Sequence, residues 1–215
     1  MKRIICLLLA IFCIGTLCSC GEKEPEPVAV YATVNGEDIT REEIDYFSKR
    51  MKADVLSDYV QKYDISDFSS FWETAYDGKT PAQTLEERAF DEAVCSKIVL
   101  VLMRENGIYE NITFAGLKKK AEDFNNANKA SNEPMIGIKT VDLEQFYTYY
   151  ISNGEMELEN ILGEGSLKPS DEEFSKRRAV CDEDMSDEMV KSIIIGEKYD
   201  EYIQSLIDSA EIIKK

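Results

Sequence analysis

After an unbroken apolar run from Ile4 to Ile14, apolar residues recur along this chain mostly at helical spacing, and only two segments break that rhythm. The first, 30-VYATV-34, reads as a short strand, and Asn35-Gly36 after it supplies the positive-φ pair of a tight turn. Thr40 and Glu43 then form a capping box, and Ile44, Phe47, Met51, Val55 and Tyr59 make a helical stripe that ends near Lys62. The polar, aromatic-dotted stretch 64-DISDFSSFWETAYDGK-79 reads as a short helix and loop. Thr80, Pro81 and Gln83 open a long helix that Gly107 closes, and its second half, 98-IVLVLM-103, is apolar all round. A helix without a polar face is surrounded, so this one is expected to be the hub of the core.

Further along, a helix is expected from near Thr113 through 117-LKKKAEDFNNANKA-130, its three lysines a solvated face. The polar linker 131-SNEPMIGIK-139 leads to 142-DLEQFYTYYISNGEMELENIL-162, one or two helices rich in tyrosine. Ser170 and Glu173 form a capping box before a short helix through Val180. The last long helix begins near Ser186 and is expected to carry Met189, Ile193, Tyr199, Ile203, Leu206 and Ala210 on one face. The second break in rhythm, 210-AEIIKK-215, reads as a terminal strand. Since 30-VYATV-34 has no other strand-like segment nearby, the two ends of the chain are expected to pair. The expected fold class is mainly α, a helical module with a small β-pairing of N- and C-terminal strands.

The apolar run itself belongs to another purpose. Lys2 and Arg3 precede it and small residues, 15-GTLCSC-20, follow it, the pattern of a secretory signal too short to be a stable membrane span. Leu17-Cys18-Ser19-Cys20 is the pattern read by the lipoprotein signal peptidase, which makes Cys20 the expected lipidation site; an ordinary secreted protein in which Cys20 is merely nearby is the alternative. Residues 1–19 are then signal, 20–29 a Pro- and Glu-rich tether, and 30–215 the folded domain. An extended chain from Cys20 to Val30 reaches at most about 35 Å, so the expected location is extracytoplasmic, close to the membrane that holds the anchor.

Composition narrows the function. Only Cys95 and Cys181 lie in the folded part, which excludes a disulfide framework and leaves one bond between them open, against the alternative of a half-buried helical thiol. The net charge of −17 becomes −19 once Lys2 and Arg3 are removed, which disfavours nucleic acid and anionic lipid surfaces as partners. The chain has no histidine, so it has no Ser-His or Cys-His pair, no HExxH zinc site and no imidazole base. It has no phosphate-binding glycine loop either, and 182-DEDMSDE-188 lacks the spacing of an EF-hand. No cofactor, catalytic residue or metal site is expected.

Three stretches carry a resemblance: 32-ATVNGEDITREE-43, 96-SKIVLVLMRENGI-108 and 197-EKYDEYIQSLIDSAEIIK-214. Together with the signal they resemble the SurA/PrsA-like family of extracytoplasmic chaperones and foldases, at both ends and in the helical middle. The resemblance implies a closing strand that lies beside the first one. Most members also carry a parvulin-type prolyl isomerase domain before the final helix. Here 170-SDEEFSKRRAVCDEDMS-186 occupies that place, far too short for a domain. The function this implies is a non-catalytic chaperone or folding factor that holds unfolded or secreted polypeptides. Candidate client-binding rings are Phe68, Trp72, Phe146, Tyr147, Tyr149 and Tyr150, with core filling as the plain alternative for each. A structural or assembly lipoprotein with one dedicated envelope partner is the second reading.

Overall fold

Two short strands and a turn open the structure, a computed structural model that describes residues 28–131 and 139–215. The signal, Cys20, most of the tether and most of the polar linker lie outside the described residues. Strand β1, Val30–Val34, turns through Asn35 and Gly36, both at positive φ, into β2, Glu37–Thr40. The hairpin pairs Val34 with Glu37 and Ala32 with Ile39, with an irregularity between Ala32 and Val30. At the far end of the chain β3, Ile212–Lys214, lies antiparallel on the other side of β1, pairing Val34 with Ile212 and Ala32 with Lys214. The chain ends do pair, as the sequence implies. The expectation that β1 has no nearby partner is corrected: β1 is the central strand of the order β2-β1-β3. The second strand escapes sequence reading because it is four residues long, begins Glu-Asp, and runs directly into the capping box.

Asn35 holds the sheet at that end by two bonds to one residue. Its backbone N–H donates to the Glu211 carbonyl at 2.9 Å, and its side-chain oxygen accepts the Glu211 N–H at 2.8 Å. Ala32, Val34 and Ile39 are fully buried against the helices, while Thr33 looks outward, the alternation expected of a sheet with one covered face.

Helix α1, Arg41–Tyr63, starts on the Thr40–Glu43 capping box and buries Ile44, Phe47, Val55 and Tyr59. Residues 64–79 form turns, with a Tyr76–Lys79 bridge closed by Asp77 and Gly78 at positive φ, in place of the short helix expected there. Packing explains the difference. Phe71 is buried with Val55 and Tyr59, and Trp72, Tyr63 and Tyr76 close around it, so the helical bonding stops after one turn, in which the Thr74 N–H donates to the Ser70 carbonyl at 2.9 Å, and the aromatic cluster fixes the rest. Helix α2, Pro81–Glu105, has the Thr80–Gln83 box and proline start read from the sequence. It is the hub: Ala89 through Met103 contribute nine buried apolar side chains that touch α1, the sheet and two later helices.

Helix α3, Phe114–Ala130, packs on α4, Leu143–Glu164, which is a single helix. The Asn125 side chain clips the connection by bonding both backbone groups of Val141, at 2.8 and 2.9 Å. Gly154 lets α4 approach α2: a Cβ there would stand 2.8 Å from the Met103 sulfur and from the Tyr109 ring. Helix α5, Asp171–Arg178, is tied to α6, Asp187–Asp208, by Lys198 to Glu173 at 3.1 Å and by the Arg177–Glu197 pair. The single apolar face expected of α6 is corrected. Met189 and Ile193 are exposed, and Val190 and Ile194 are buried instead, followed by Tyr199 and Ile203. Ile194 and Tyr199 are five residues apart, about 140° around the helix. The two halves of α6 therefore bury different faces, the first towards α5 and the second towards the hub.

Candidate functional site

The six rings singled out in the sequence fall into two separate groups. Phe68 and Trp72 belong to the cluster at the C-terminal end of α1, where Trp72 meets Phe71 edge-on at 4.9 Å and Lys52 lies over the indole at 5.2 Å. Phe146, Tyr147, Tyr149 and Tyr150 lie on α4. Tyr147 touches Phe47 on α1, whereas Trp72 lies against Lys52 further along that helix. Among the described residues no ring contact joins Phe68 and Trp72 to the four rings of α4.

Within α4 the rings divide again. Phe146 and Tyr147 are each 5% exposed, which removes them as client-binding candidates, because their rings are already used by the core. Tyr147 packs on Tyr46 and Phe47 and bonds the Ser96 hydroxyl. Phe146 stacks on Tyr150 at 5.5 Å, and Tyr150 stacks on Tyr109 at 3.9 Å, whose hydroxyl donates to the Tyr150 carbonyl at 2.6 Å. Burial pushes the Tyr109 and Tyr150 phenols up to about 12, so both are neutral packing surfaces. Tyr149 alone points outward, 63% exposed, and Met156 two turns on is equally exposed on the same side. Phe124 of α3 packs on Phe146 at 5.7 Å and remains partly exposed. The apolar side chains that α3 and α4 leave exposed are Phe124, Tyr149, Met156 and Ile161, and Phe68, in the turn segment after α1, is exposed as well.

Sequence reading missed Phe124, Met156 and Tyr109. The first two sit among lysines, asparagines and glutamates, and only the packing of α3 on α4 shows which apolar side chains are left over. The lysine run is also more than a solvated face. Lys118 pairs with Glu42 on α1, and the Lys120 ammonium lies over the Tyr150 ring at 5.5 Å.

A second polar feature lies where α2, α4 and α6 meet. The charges of Glu92 and Glu155 act on the Cys95 thiol of α2, and those of Glu155 and Glu159 of α4 and Asp200 of α6 act on the Tyr199 phenol of α6. Glu159 reaches α6 at Gly196, its oxygen an ordinary contact distance of 3.5 Å from where a Cβ would stand. Cys95 and Cys181 are free thiols, so the disulfide left open by the sequence is not formed. Burial and then the charges of Glu92 and Glu155 push the Cys95 thiol up, away from the reactive thiolate. Among the described residues no three acidic or thiol groups converge closely enough to hold a metal ion.

Glu155 gives a prediction with a definite sign. Burial first, then Glu92 and Glu159, raise its carboxyl above the ordinary 4.5. Its protonated form is thus favoured by folding, a contribution fully present below pH 4.5 and lost as pH rises through the raised value. Glu155→Gln is expected to melt higher than wild type at pH 7, with the advantage shrinking towards zero at pH 4. An equal advantage at both pH values in thermal melts would show that charge is not the cause.

Among the described residues no helix is long and apolar enough to cross a membrane. No family model matches this chain, and no curated protein matches it.

Proposed function

We propose that this protein is a lipid-anchored, extracytoplasmic, non-catalytic chaperone or folding factor for secreted polypeptides, in the manner of the SurA/PrsA-like helical module it resembles. The observation that carries the reading is that Tyr149, Met156 and Phe124 of α3 and α4 are left uncovered, Phe124 resting on the buried Phe146 ring. A client's apolar side chain gains burial there at about 25 cal/mol per Å² without any bond being made. The paired chain ends and the hub helix support the family-like reading. Anchoring at Cys20 would keep this surface within a tether's length of emerging clients.

The narrowness of the Tyr149–Met156 stripe favours the second reading, a structural or assembly lipoprotein with one envelope partner. Both readings meet in one experiment. The processed, unlipidated chain is expected to slow aggregation of several unfolded clients at near-stoichiometric ratio, to leave prolyl isomerisation unaccelerated, and to lose protection in Tyr149→Ser/Met156→Ser without a lower melting temperature. Protection of no client, together with a single crosslinked product from position 149 in living cells, replaces the chaperone by the dedicated binder. Protection that survives the double substitution puts the client surface elsewhere.

A further inference from the structure

We propose that the outer edge of β3 pairs with the same edge of a second copy of this chain, antiparallel, about a two-fold axis at Ile213. Strand β3 is the last in the order β2-β1-β3, and Glu211 to Lys215 are all exposed. The Glu211 carbonyl accepts the Asn35 N–H at 2.9 Å, and the Lys215 N–H donates to the Tyr31 carbonyl at 3.0 Å. Backbone groups alternate in direction along an antiparallel strand, so Ile213, opposite Thr33, also faces β1, and the N–H and C=O of Ile212 and Lys214 face away from the sheet. Among the described residues no turn, loop or side chain bonds these outward groups.

The strand selects a second copy because 211-EIIKK-215 is complementary to itself when reversed. With Ile213 opposite Ile213 of the second copy, the outward groups of Ile212 meet those of Lys214 in the other chain, and each such pair exchanges two backbone bonds. The same register sets Glu211 of each copy opposite Lys215 of the other. Positions between the hydrogen-bonded pairs bring side chains closest, so the pairs in closest contact are Ile213 on Ile213, flanked on both sides by Glu211 with Lys215. Neither Glu211 nor Lys215 has an ion pair among the described residues. Lys214, the remaining cation of the strand, is drawn aside, its ammonium 4.0 Å from the centre of the Phe90 ring.

The other edge of the sheet is guarded. Strand β2 carries Glu37 and Asp38, and it runs straight into α1 after Thr40. Charged side chains are one of the ways in which an edge strand is kept from pairing. By contrast β3 shows Ile212 and Ile213, 41% and 52% exposed, one on each face of the sheet. Any extended peptide finds backbone partners at such an edge, but two Glu–Lys pairs in register favour a second copy. The contact is narrower than a standard interface, so the association is weak and shows at high protein concentration. This inference does not depend on the chaperone reading.

Sedimentation and amide exchange by NMR, both run on the processed, unlipidated chain from low to high concentration, test it. A monomer–dimer equilibrium is expected, in which the Ile212 and Lys214 amides gain protection with concentration while the Ile213 amide, bonded within the sheet already, does not change. Glu211→Lys and Lys215→Glu each set like charges opposite one another at both ends of the pairing, and each is expected to weaken self-association roughly tenfold. An equimolar mixture of the two variants restores opposite charges at both ends and is expected to associate as tightly as wild type. Both side chains are exposed, so the melting temperatures are expected to stay at the wild-type value. A wild-type chain that stays monomeric at millimolar concentration overturns the proposal, and so does a mixture that associates no more tightly than its components. Dimers without protection at Ile212 and Lys214 place the interface elsewhere. Protection of those amides by an unfolded client but never by the chain itself assigns the edge to extended polypeptides and likewise overturns the proposal. If either variant fails to fold, the wild-type exchange pattern decides alone.

Discussion

Lys97→Met is expected to destabilise this protein by about 3–5 kcal/mol, the usual cost of leaving one member of a buried ion pair without its partner. The Lys97 ammonium is 2.8 Å from a Glu43 oxygen, and the two side chains are only 3% and 6% exposed. Glu43 divides its work: the other oxygen accepts the Thr40 N–H at 2.7 Å and closes the capping box of α1. Methionine nearly matches the lysine stem, so the core keeps its volume and what is lost is charge neutralisation. For a chain of this size the loss corresponds to a melting temperature lower by roughly 6–20 °C. Glu43→Gln/Lys97→Met, which removes both charges and retains the cap, is expected to recover most of it. A single Lys97→Met variant that melts like wild type would show that the carboxylate needs no partner there.

Deleting Glu211–Lys215 is expected to cost about 3–5 kcal/mol, at roughly 1 kcal/mol for each lost hydrogen bond. It removes the pairing of Ile212 to Lys214 with β1, both bonds between Asn35 and Glu211, and the Lys215 N–H bond to the Tyr31 carbonyl at 3.0 Å. It also takes the Lys214 ammonium from above the Phe90 ring. The loss is bounded because β2 still pairs with β1, which becomes an edge strand rather than an isolated one. Ile212 and Ile213 are 41% and 52% exposed, so little buried apolar area goes with them. A melting temperature unchanged by the truncation would mean that β3 is an accessory to the sheet. A chain that fails to fold would mean that the closing strand organises the hub.

Features that depend on neighbours a few residues apart are legible along the chain. Among the described residues capping boxes begin at Thr40, Thr80, Asp142 and Ser170, and all but the one at Asp142 are legible as a polar cap followed three positions later by Glu or Gln. The Asn35-Gly36 turn and the apolar run of the hub were legible for the same reason. Tertiary structure decided what depends on which surfaces meet. It made β1 central, gave α6 two buried faces, and replaced a short helix by an aromatic cluster around Phe71. It placed Lys97 in the core, one position before the apolar run, because Glu43 came from another helix to meet it. It buried Phe146 and Tyr147 and left Tyr149 outside, a division that no local pattern in a run of aromatic residues carries. Spacing along a helix fixes which side chains share a face, but only the neighbouring helices fix which face is covered.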